Sequence, residues 1–430
     1  MIRFLPLLVL LLIVPSAIHA QETSPTVDVL HIKGIINPVL VGYVERGIQE
    51  AEKDNAIALV IQMDTPGGLD NAMRDIIQLI DRAQIPIVVY IPPGARAASA
   101  GFFITIAADV AAMAPDTAIG AATPVALGTE GEVQMSEEMK AKVINDAIAY
   151  AKAIAKTHER NIEWAEKAVR EGASVPSYEA LDLNVIDIIA ADTSDLITQL
   201  DGFKVTMLDG STLTLKTQGA TTNDIKMSTI EDFLFAISDP NIAYILLSLA
   251  ILGITVEIFN PGLLFPGIVG AIAGLLAFYS LGMLPVNYAG VLLMVLALVL
   301  FVAEAFTTTF GLLTAGGIAS LVIGSLILFP GGDSMFQINP WLIAAVAIFF
   351  TVLLVFIVNR VVAAHRRQAT TGREEILGKT TIVRTALKPE GTVFHEGEIW
   401  AAVLDKDLAE LGEEVLISKI DGLKLYVTKK

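Results

Sequence analysis

The sequence of 430 residues contains no cysteine. This excludes a cysteine nucleophile, a thiolate zinc site and a disulfide framework. Basic residues are also scarce, since 29 Lys and Arg stand against 46 Asp and Glu for a net charge of −17. An acidic chain of this kind is poorly suited to bind nucleic acid, so we expect no nucleic-acid partner.

A long stretch of the chain, residues 227–359, has neither Lys nor Arg. Much of the apolar content, which is 54% for the whole chain, is concentrated there. Each apolar segment is close to the roughly 20 residues that a bilayer-spanning helix needs. The segments are residues 242–258, 263–283, 287–306, 310–329 and 340–358. We therefore predict a transmembrane domain of about five helices over residues 241–359.

Two of these segments form an internal repeat. The sequence GLLFPG at residues 262–267 is echoed by GLLTAG at residues 311–316, and the preceding segments end in Glu257 and Glu304. A glutamate in or near a membrane is unfavourable and invites a functional interpretation. Because both glutamates lie near predicted helix ends, we favour a structural role, such as capping a neighbouring helix.

The two ends of the chain predict its orientation. Residues 1–20 are typical of a signal peptide, with Arg3, a short apolar run at Leu5–Val14 and the small residue Ala20. An uncleaved anchor helix is the alternative. Positive charge marks the cytoplasmic end of a span. The arginines after the fifth segment are Arg360, Arg366, Arg367 and Arg373. We predict an extracytoplasmic N-terminal domain and a cytoplasmic C-terminal domain.

Two further regions have the pattern of globular domains. Strand-like and helix-like segments alternate over residues 26–200, which predicts an α/β domain with a largely parallel sheet. Residues 201–240 are expected to be a β-hairpin followed by a linker to the membrane. Five short strands separated by Gly and Pro turns predict a small all-β, OB-like barrel over residues 376–430.

Two motifs in the α/β region could carry chemistry. Asp64-Thr-Pro-Gly-Gly68 follows a predicted strand, and its glycines could turn backbone amides towards a cavity as an oxyanion hole, although such a motif is often only a turn. Ser99 lies in Gly94–Gly101, between a strand and a helix, like a serine at a nucleophile elbow. A helix-capping or packing serine is the alternative.

A nucleophilic serine needs a base. Of the five histidines, only His31 and His158 lie in the α/β region, and neither has an obvious acidic partner in the sequence. A Ser–His–Asp triad is therefore disfavoured. A lysine can serve if burial lowers its pKa towards neutrality. Lys140 and Lys142 open a long predicted helix, and spacing alone does not choose between them.

The motifs together resemble a known family. DTPGG and GARAASAG are followed by MAPDTAIGAATPV (residues 113–125) and SYEALDLNVIDIIA (residues 177–190), with the membrane block and LGKTTIVRTALKPEGTVFHEGEIWAAV (residues 377–403) further on. This combination resembles the ClpP/crotonase superfamily, and most closely the long-form NfeD membrane serine proteases, which are related to signal peptide peptidase A. The resemblance covers nearly the whole mature chain.

The resemblance implies a ClpP/crotonase-like N-terminal domain with a Ser–Lys dyad and neither a metal nor a cofactor. Ser99 would be the nucleophile and Lys142 the base, with Lys140 as the second choice. As a base, Lys142 is expected to be buried, which would lower its pKa. The oxyanion donors would be the backbone amides of Gly67, Gly68 and Ala100. The resemblance also implies a stomatin-like partner or substrate. We further expect a homo-oligomer that cleaves apolar segments of membrane-associated proteins in membrane quality control.

Two other classes of function remain as alternatives. The α/β domain could be a docking shell in a non-catalytic assembly factor that acts with a stomatin-like protein. It could also be a crotonase-type acyl-CoA enzyme, but export from the cytoplasm disfavours this alternative because CoA is cytoplasmic.

Overall fold

The computed structural model describes residues 25–125, 127–128, 131–132, 136–307, 309, 311–329, 336–365, 376–404 and 407–429. The predicted signal peptide and most of the arginines after the fifth apolar segment lie outside them. The chain divides into two compact units, the first ending at Thr351 and the second beginning at Val352.

The first unit begins with an α/β domain. Its strands are β1 (Thr26–Lys33), β2 (Leu59–Asp64), β3 (Ile87–Ile91), β4 (Arg96–Ala98), β5 (Val110–Met113), β6 (Ala118–Gly120), β7 (Leu127–Gly128), β8 (Gly131–Glu132), β9 (Ser174–Pro176), β10 (Ile188–Ile189), β11 (Lys204–Thr206), β12 (Thr212–Thr214) and β13 (Thr221–Asp224). Its helices are α1 (Pro38–Lys53), α2 (Asp70–Arg82), α3 (Ala100–Ile106), α4 (Glu137–Thr157), α5 (Ile162–Arg170), α6 (Ser177–Asp182) and α7 (Thr193–Leu200).

The main sheet is parallel, with strand order β10-β5-β3-β2-β1-β13. Successive side chains of a strand point to opposite faces, and β1 follows this rule. Leu30 and Ile32 enter the core cluster that includes α1 to α5, while Val27 and Val29 enter the cluster that includes α7. Burial on both faces explains the continuous apolar runs in these strands. The predicted α/β fold is confirmed.

The segment expected to be a linker contributes to this sheet. After the predicted hairpin, β11–β12, the strand β13 pairs with β1 in parallel, Thr221 opposite Thr26. All four β13 side chains are exposed. An edge strand that buries no side chain has no apolar alternation, so the sequence carried no signal for it.

A block of apolar helices follows. Its helices are α8 (Thr229–Ile237), α9 (Pro240–Phe259), α10 (Phe265–Met283), α11 (Tyr288–Phe306), α12 (Leu312–Ile327) and α13 (Pro340–His365). By length and composition α9 and α10 could each cross a membrane, and the apolar stretches Tyr288–Glu304, Leu312–Ile327 and Pro340–Phe356 are shorter. The helices pack as two pairs, α9 with α10 and α11 with α12. Glycines allow close packing within a pair: a Cβ added at Gly253 of α9 would lie 2.8 Å from the Cα of Gly270 of α10.

The two glutamates of the internal repeat bind backbone amides at the next helix. Glu304 accepts hydrogen bonds from the amides of Gly311 and Thr314, at 2.8 and 2.9 Å, where α12 begins. Glu257 accepts one from the amide of Leu264, at 3.2 Å, just before α10. Amides at a helix start have no intrahelical acceptor, so these carboxylates cap the second helix of each pair. The preferred structural interpretation fits this geometry.

The second unit contains a small barrel. Its strands are β14 (Thr380–Thr385), β15 (Glu390–His395), β16 (Glu398–Leu404), β17 (Glu414–Asp421) and β18 (Lys424–Lys429). They close in the order β14-β15-β16-β18-β17 around a core that includes Val393, Val415 and Val427. The predicted five-stranded barrel is confirmed.

An ion pair fixes the first helix of the block to the α/β domain. The Arg46 guanidinium on α1 donates to both carboxylate oxygens of Glu231 on α8, at 2.9 and 2.6 Å. Arg46 lowers the pKa of Glu231 to about 2. A bidentate arginine–carboxylate pair fixes orientation as well as distance. The hydroxyl of Ser280 on α10 in turn donates to the carbonyl of Ile237 at the end of α8.

We expect Glu231→Gln to destabilise the full chain by about 1–3 kcal/mol, because Arg46 loses a charged acceptor. The folded-state pKa of Glu231 lies below its ordinary value, so its contribution is present at neutral pH and is lost as pH falls from about 4.5 towards about 2. Thermal unfolding of the parent and of the Glu231→Gln variant in detergent, over this pH range, measures the difference in stability. Glu50→Gln, at the more exposed partner of Arg46, is the control and should change stability by only about 0.3–0.5 kcal/mol. Equal effects of the two substitutions would contradict this account.

Candidate active site

The two sequence motifs meet beside the end of β2. Thr65 forms a parallel bridge with Ala97, and Ile36 forms one with Gly68. The Thr65 amide donates to the carbonyl of Arg96 at 2.9 Å, and the Ala98 amide donates to the carbonyl of Thr65 at 3.2 Å. The loop after β2 and the segment that carries Ser99 are therefore held side by side.

Gly68 is required by a close backbone approach. A Cβ at this position would lie 2.2 Å from the carbonyl oxygen of Ile36. The Ile36–Gly68 bridge uses the amides of Ile36 and Leu69, each in a 2.9 Å hydrogen bond, and this leaves the Gly68 amide turned away from it. The Gly67 amide, by contrast, donates to Oγ1 of Thr65 at 3.0 Å. Of the two glycines, Gly68 has the amide that is free to face a ligand.

Ser99 has an unusual backbone. Its φ and ψ are 52° and −116°, and its amide donates to the carbonyl of Gly120 at 3.1 Å. A non-glycine residue at positive φ is uncommon and is strained by about 1–3 kcal/mol. The Ser99 side chain does not cap α3. Ala100 is the first residue of α3, so its amide has no acceptor within the helix. The simple alternative of a helix-capping serine does not apply.

Gly68, Ser99 and Ala100 line one cleft of about 250 Å³. The rest of its lining is mainly apolar. It includes Met73 of α2, Phe103 of α3, Ala122 after β6 and Ala147 of α4. The cleft thus combines a serine, two backbone amides and an apolar wall, which is a suitable arrangement for acyl transfer on an apolar peptide.

The candidate lysines lie outside this cleft. Lys140 and Lys142 are both exposed on the first turns of α4, and the buried residues of this helix begin at Ala147. The expectation that Lys142 is buried is therefore wrong for the single chain. At about 3.6 residues a turn, Lys140 lies on the same helix face as Ala147, seven residues before it, whereas Lys142 lies on another face. The assignment of the base stays a prediction.

The histidines have acidic partners that the sequence did not reveal. Nε2 of His31 lies 3.1 Å from Asp224 of β13, and Nε2 of His158 lies 3.4 Å from Asp81 of α2. Both acids are distant in sequence, so neither partner was obvious from the sequence alone. Neither histidine lines the cleft with Ser99, so these pairs do not form a triad there.

Sequence reasoning missed the role of Thr65. Its side chain is fully buried, and Oγ1 donates to the Gly67 carbonyl at 2.9 Å while accepting from the Gly67 amide. Its methyl group packs towards α3, since a Cβ at Gly101 would lie 2.5 Å from Cγ2 of Thr65. The position of Thr65 after a predicted strand and before two glycines was visible in the sequence. Its burial was not, because it depends on the neighbouring segment that carries Ser99.

Comparisons with known proteins match all three parts of the chain. The NfeD1b N-terminal domain matches residues 26–220, the NfeD integral membrane domain residues 241–360, and the NfeD-like C-terminal, partner-binding domain residues 373–429. These define a membrane protein with a domain on each side of its apolar block in the sequence. The chain belongs to the NfeD family.

The relatives include two full-length proteins. The membrane-bound protease PH1510 of Pyrococcus horikoshii is 36% identical, over 100% of this chain and 98% of its own length. The membrane protein NfeD1b of Bacillus subtilis is 28% identical, over 95% and 94%. A solved structure of 1510-N, a membrane-bound stomatin-specific protease, holds a substrate peptide in a lysine-to-alanine variant; it is 34% identical with a TM-score of 0.47, over 50% of this chain and 98% of its own.

Thr65 gives a prediction about positioning. Thr65→Val keeps the shape of the side chain but leaves the Gly67 amide without its acceptor, so the Gly68 amide should shift. We expect peptide cleavage to fall about tenfold or more in kcat, with KM little changed. Thr65→Ser keeps the hydroxyl and should retain most of kcat. A rise in KM alone, or equal loss in both variants, would show that Thr65 has only a packing role.

Proposed function

We propose that this chain is a membrane-anchored serine endopeptidase in which Ser99 is the nucleophile and a lysine is the base. One observation carries the proposal: a serine with a left-handed backbone lies in the same cleft as the available amides of Gly68 and Ala100. A serine that only packs the core has no need of this backbone strain or of amides beside it.

The reaction follows from the residues in the cleft. The neutral lysine takes the proton of the Ser99 hydroxyl, and Oγ attacks the carbonyl carbon of a peptide bond. The amides of Gly68 and Ala100 donate to the resulting oxyanion. The protonated lysine then gives its proton to the leaving amine, and the C–N bond breaks. Water, deprotonated by the same lysine, hydrolyses the acyl-enzyme and releases Ser99.

We assign the base to Lys142, with Lys140 as the second choice. The family resemblance supports Lys142, while the helix face shared with Ala147 supports Lys140. Either lysine must lose contact with water to act as a base near neutral pH. Because both are exposed in the single chain, we propose that substrate or a second copy of the chain covers the first turns of α4.

The substrate we propose is an apolar segment of a membrane-associated protein, and in particular of a stomatin-like partner, in membrane quality control. The apolar wall formed by Met73, Phe103 and Ala122 supports apolar side chains in the cleft. The full-length relative PH1510 is a membrane-bound protease, and 1510-N is specific for a stomatin homologue. The match of the barrel region to a partner-binding domain suits a chain that acts beside a partner.

A non-catalytic assembly factor is the second candidate. It is favoured by the exposure of both lysines, neither of which is among the described residues that line the cleft with Ser99. A serine without a base would not be expected to react rapidly with a fluorophosphonate.

The peptidase proposal predicts distinct effects of three substitutions in the full chain. Ser99→Ala should abolish both peptide cleavage and fluorophosphonate labelling. Lys142→Ala should reduce kcat at least about a thousandfold, as removal of a catalytic base does, whereas Lys140→Ala should keep most activity. Cleavage that survives Ser99→Ala would refute the proposal, and the reverse order of the two lysine variants would move the base to Lys140.

We also propose an extracytoplasmic α/β domain and a cytoplasmic barrel. The absence of cysteine makes this directly measurable, because a single introduced cysteine has no background. Tyr178→Cys in the α/β domain and Leu423→Cys in the barrel both replace exposed side chains. A membrane-impermeant maleimide should label the first in intact cells and the second only after permeabilisation. Labelling of Leu423→Cys in intact cells would contradict this orientation.

A further inference from the structure

The apolar cleft beside Ser99 is also lined by a residue from the helical block. Phe336 lies between α12 and α13, more than 200 residues after Ser99 in the sequence, and it lines the same cleft. Only 1% of its surface is exposed. Ile338 is also buried, at 6% exposure, whereas Trp341 at the start of α13 is 83% exposed. The segment before α13 therefore turns its apolar side chains inwards, and Phe336 is the one that lines the cleft.

Described residues on both sides of Phe336 are attached to the helical block. The Asn339 amide donates to Oδ1 of Asn241 at the start of α9, at 2.8 Å. The Asn287 amide donates to the carbonyl of Leu328 at the end of α12, at 2.8 Å. The block therefore holds Phe336 near the start of α9, where it lines the cleft.

We propose that Phe336 occupies the subsite that receives a large apolar side chain of the substrate. The inference rests on the proposed function. The ring contributes to the same apolar wall as Phe103 and Met73, next to Ser99 and Gly68. Its burial removes a large apolar surface from water, which is the same driving force that would hold an aromatic or large aliphatic side chain of a peptide. A peptide can use this subsite only when Phe336 leaves it.

Occupancy by Phe336 weakens the apparent affinity for peptide. If the binding-competent state is a minor one, the measured Kd rises by the inverse of its population. Complete burial of a phenylalanine ring makes the open state rare, on the order of one chain in ten or fewer. Removal of the ring should therefore tighten binding of a peptide with a large apolar side chain by about tenfold or more.

The test measures binding of a fluorescent peptide by anisotropy, using the full chain in detergent. The parent carries Ser99→Ala, so binding is separated from cleavage. Phe336→Ala in this background should lower the Kd about tenfold or more for a peptide with a central phenylalanine, and should change it little for a peptide with serine there. Phe336→Leu, which keeps the segment apolar, should give an intermediate Kd.

Phe329→Ala is the matched control, because Phe329 is a buried phenylalanine near the end of α12 that does not line the cleft. It should leave the Kd unchanged. An unchanged or higher Kd in both Phe336 variants would overturn the inference, as would equal gains for Phe329→Ala or for the serine peptide. The same substitutions with Ser99 intact test the peptidase proposal separately: a chain that binds peptide more tightly without Phe336 but never cleaves it would refute only the catalytic assignment.

Discussion

The candidate site depends on the close contact of two loops around one buried threonine. Thr65 forms hydrogen bonds with both loops. Its main chain bonds to the segment of Ser99, and its hydroxyl bonds to the backbone of Gly67. Such contact is possible only where side chains are missing, at Gly68 against Ile36 and at Gly101 against Thr65. Buried polar groups must be paired, so this small network fixes the position of the loops more strictly than apolar packing could.

The strain at Ser99 follows from this contact. Its amide bonds to Gly120, and the neighbouring Ala98 bonds to Thr65, so the backbone is held on two sides. A residue in a sparsely populated φ/ψ region persists only where its surroundings determine it. The result is that the serine hydroxyl stands at the head of α3 without being used as a cap. Local strain and helix geometry together present a serine and two amides to one cleft.

Local sequence patterns were sufficient for the architecture and for part of the site. Apolar periodicity located the sheet, the helical block and the barrel, because each depends on the spacing of residues that are close in sequence. The motifs around Gly68 and Ser99 were visible for the same reason. The partners of His31 and His158, the edge strand β13 and the position of Phe336 were not, since each depends on residues brought together over long distances in the chain.

The exposure of Lys142 has a different cause. Helix α4 extends beyond the core, and its first turns have no described neighbour that buries them. The expectation of a buried lysine treated one chain as the whole catalytic unit, whereas the exposed turns suit a site completed by substrate or by another copy.

The helical block forms part of the wall of the cleft and is more than an anchor. Arg46 and Glu231 hold α8 against α1, and α8 is joined to α10 through Ser280. Phe336 of the same block lines the cleft. A change in the packing of these helices would therefore alter access to Ser99 without any change in Ser99 itself or in the amides of Gly68 and Ala100. Because an equilibrium shifts only by the difference in affinity for its two states, a substrate segment that fits the subsite better than Phe336 would itself open the cleft.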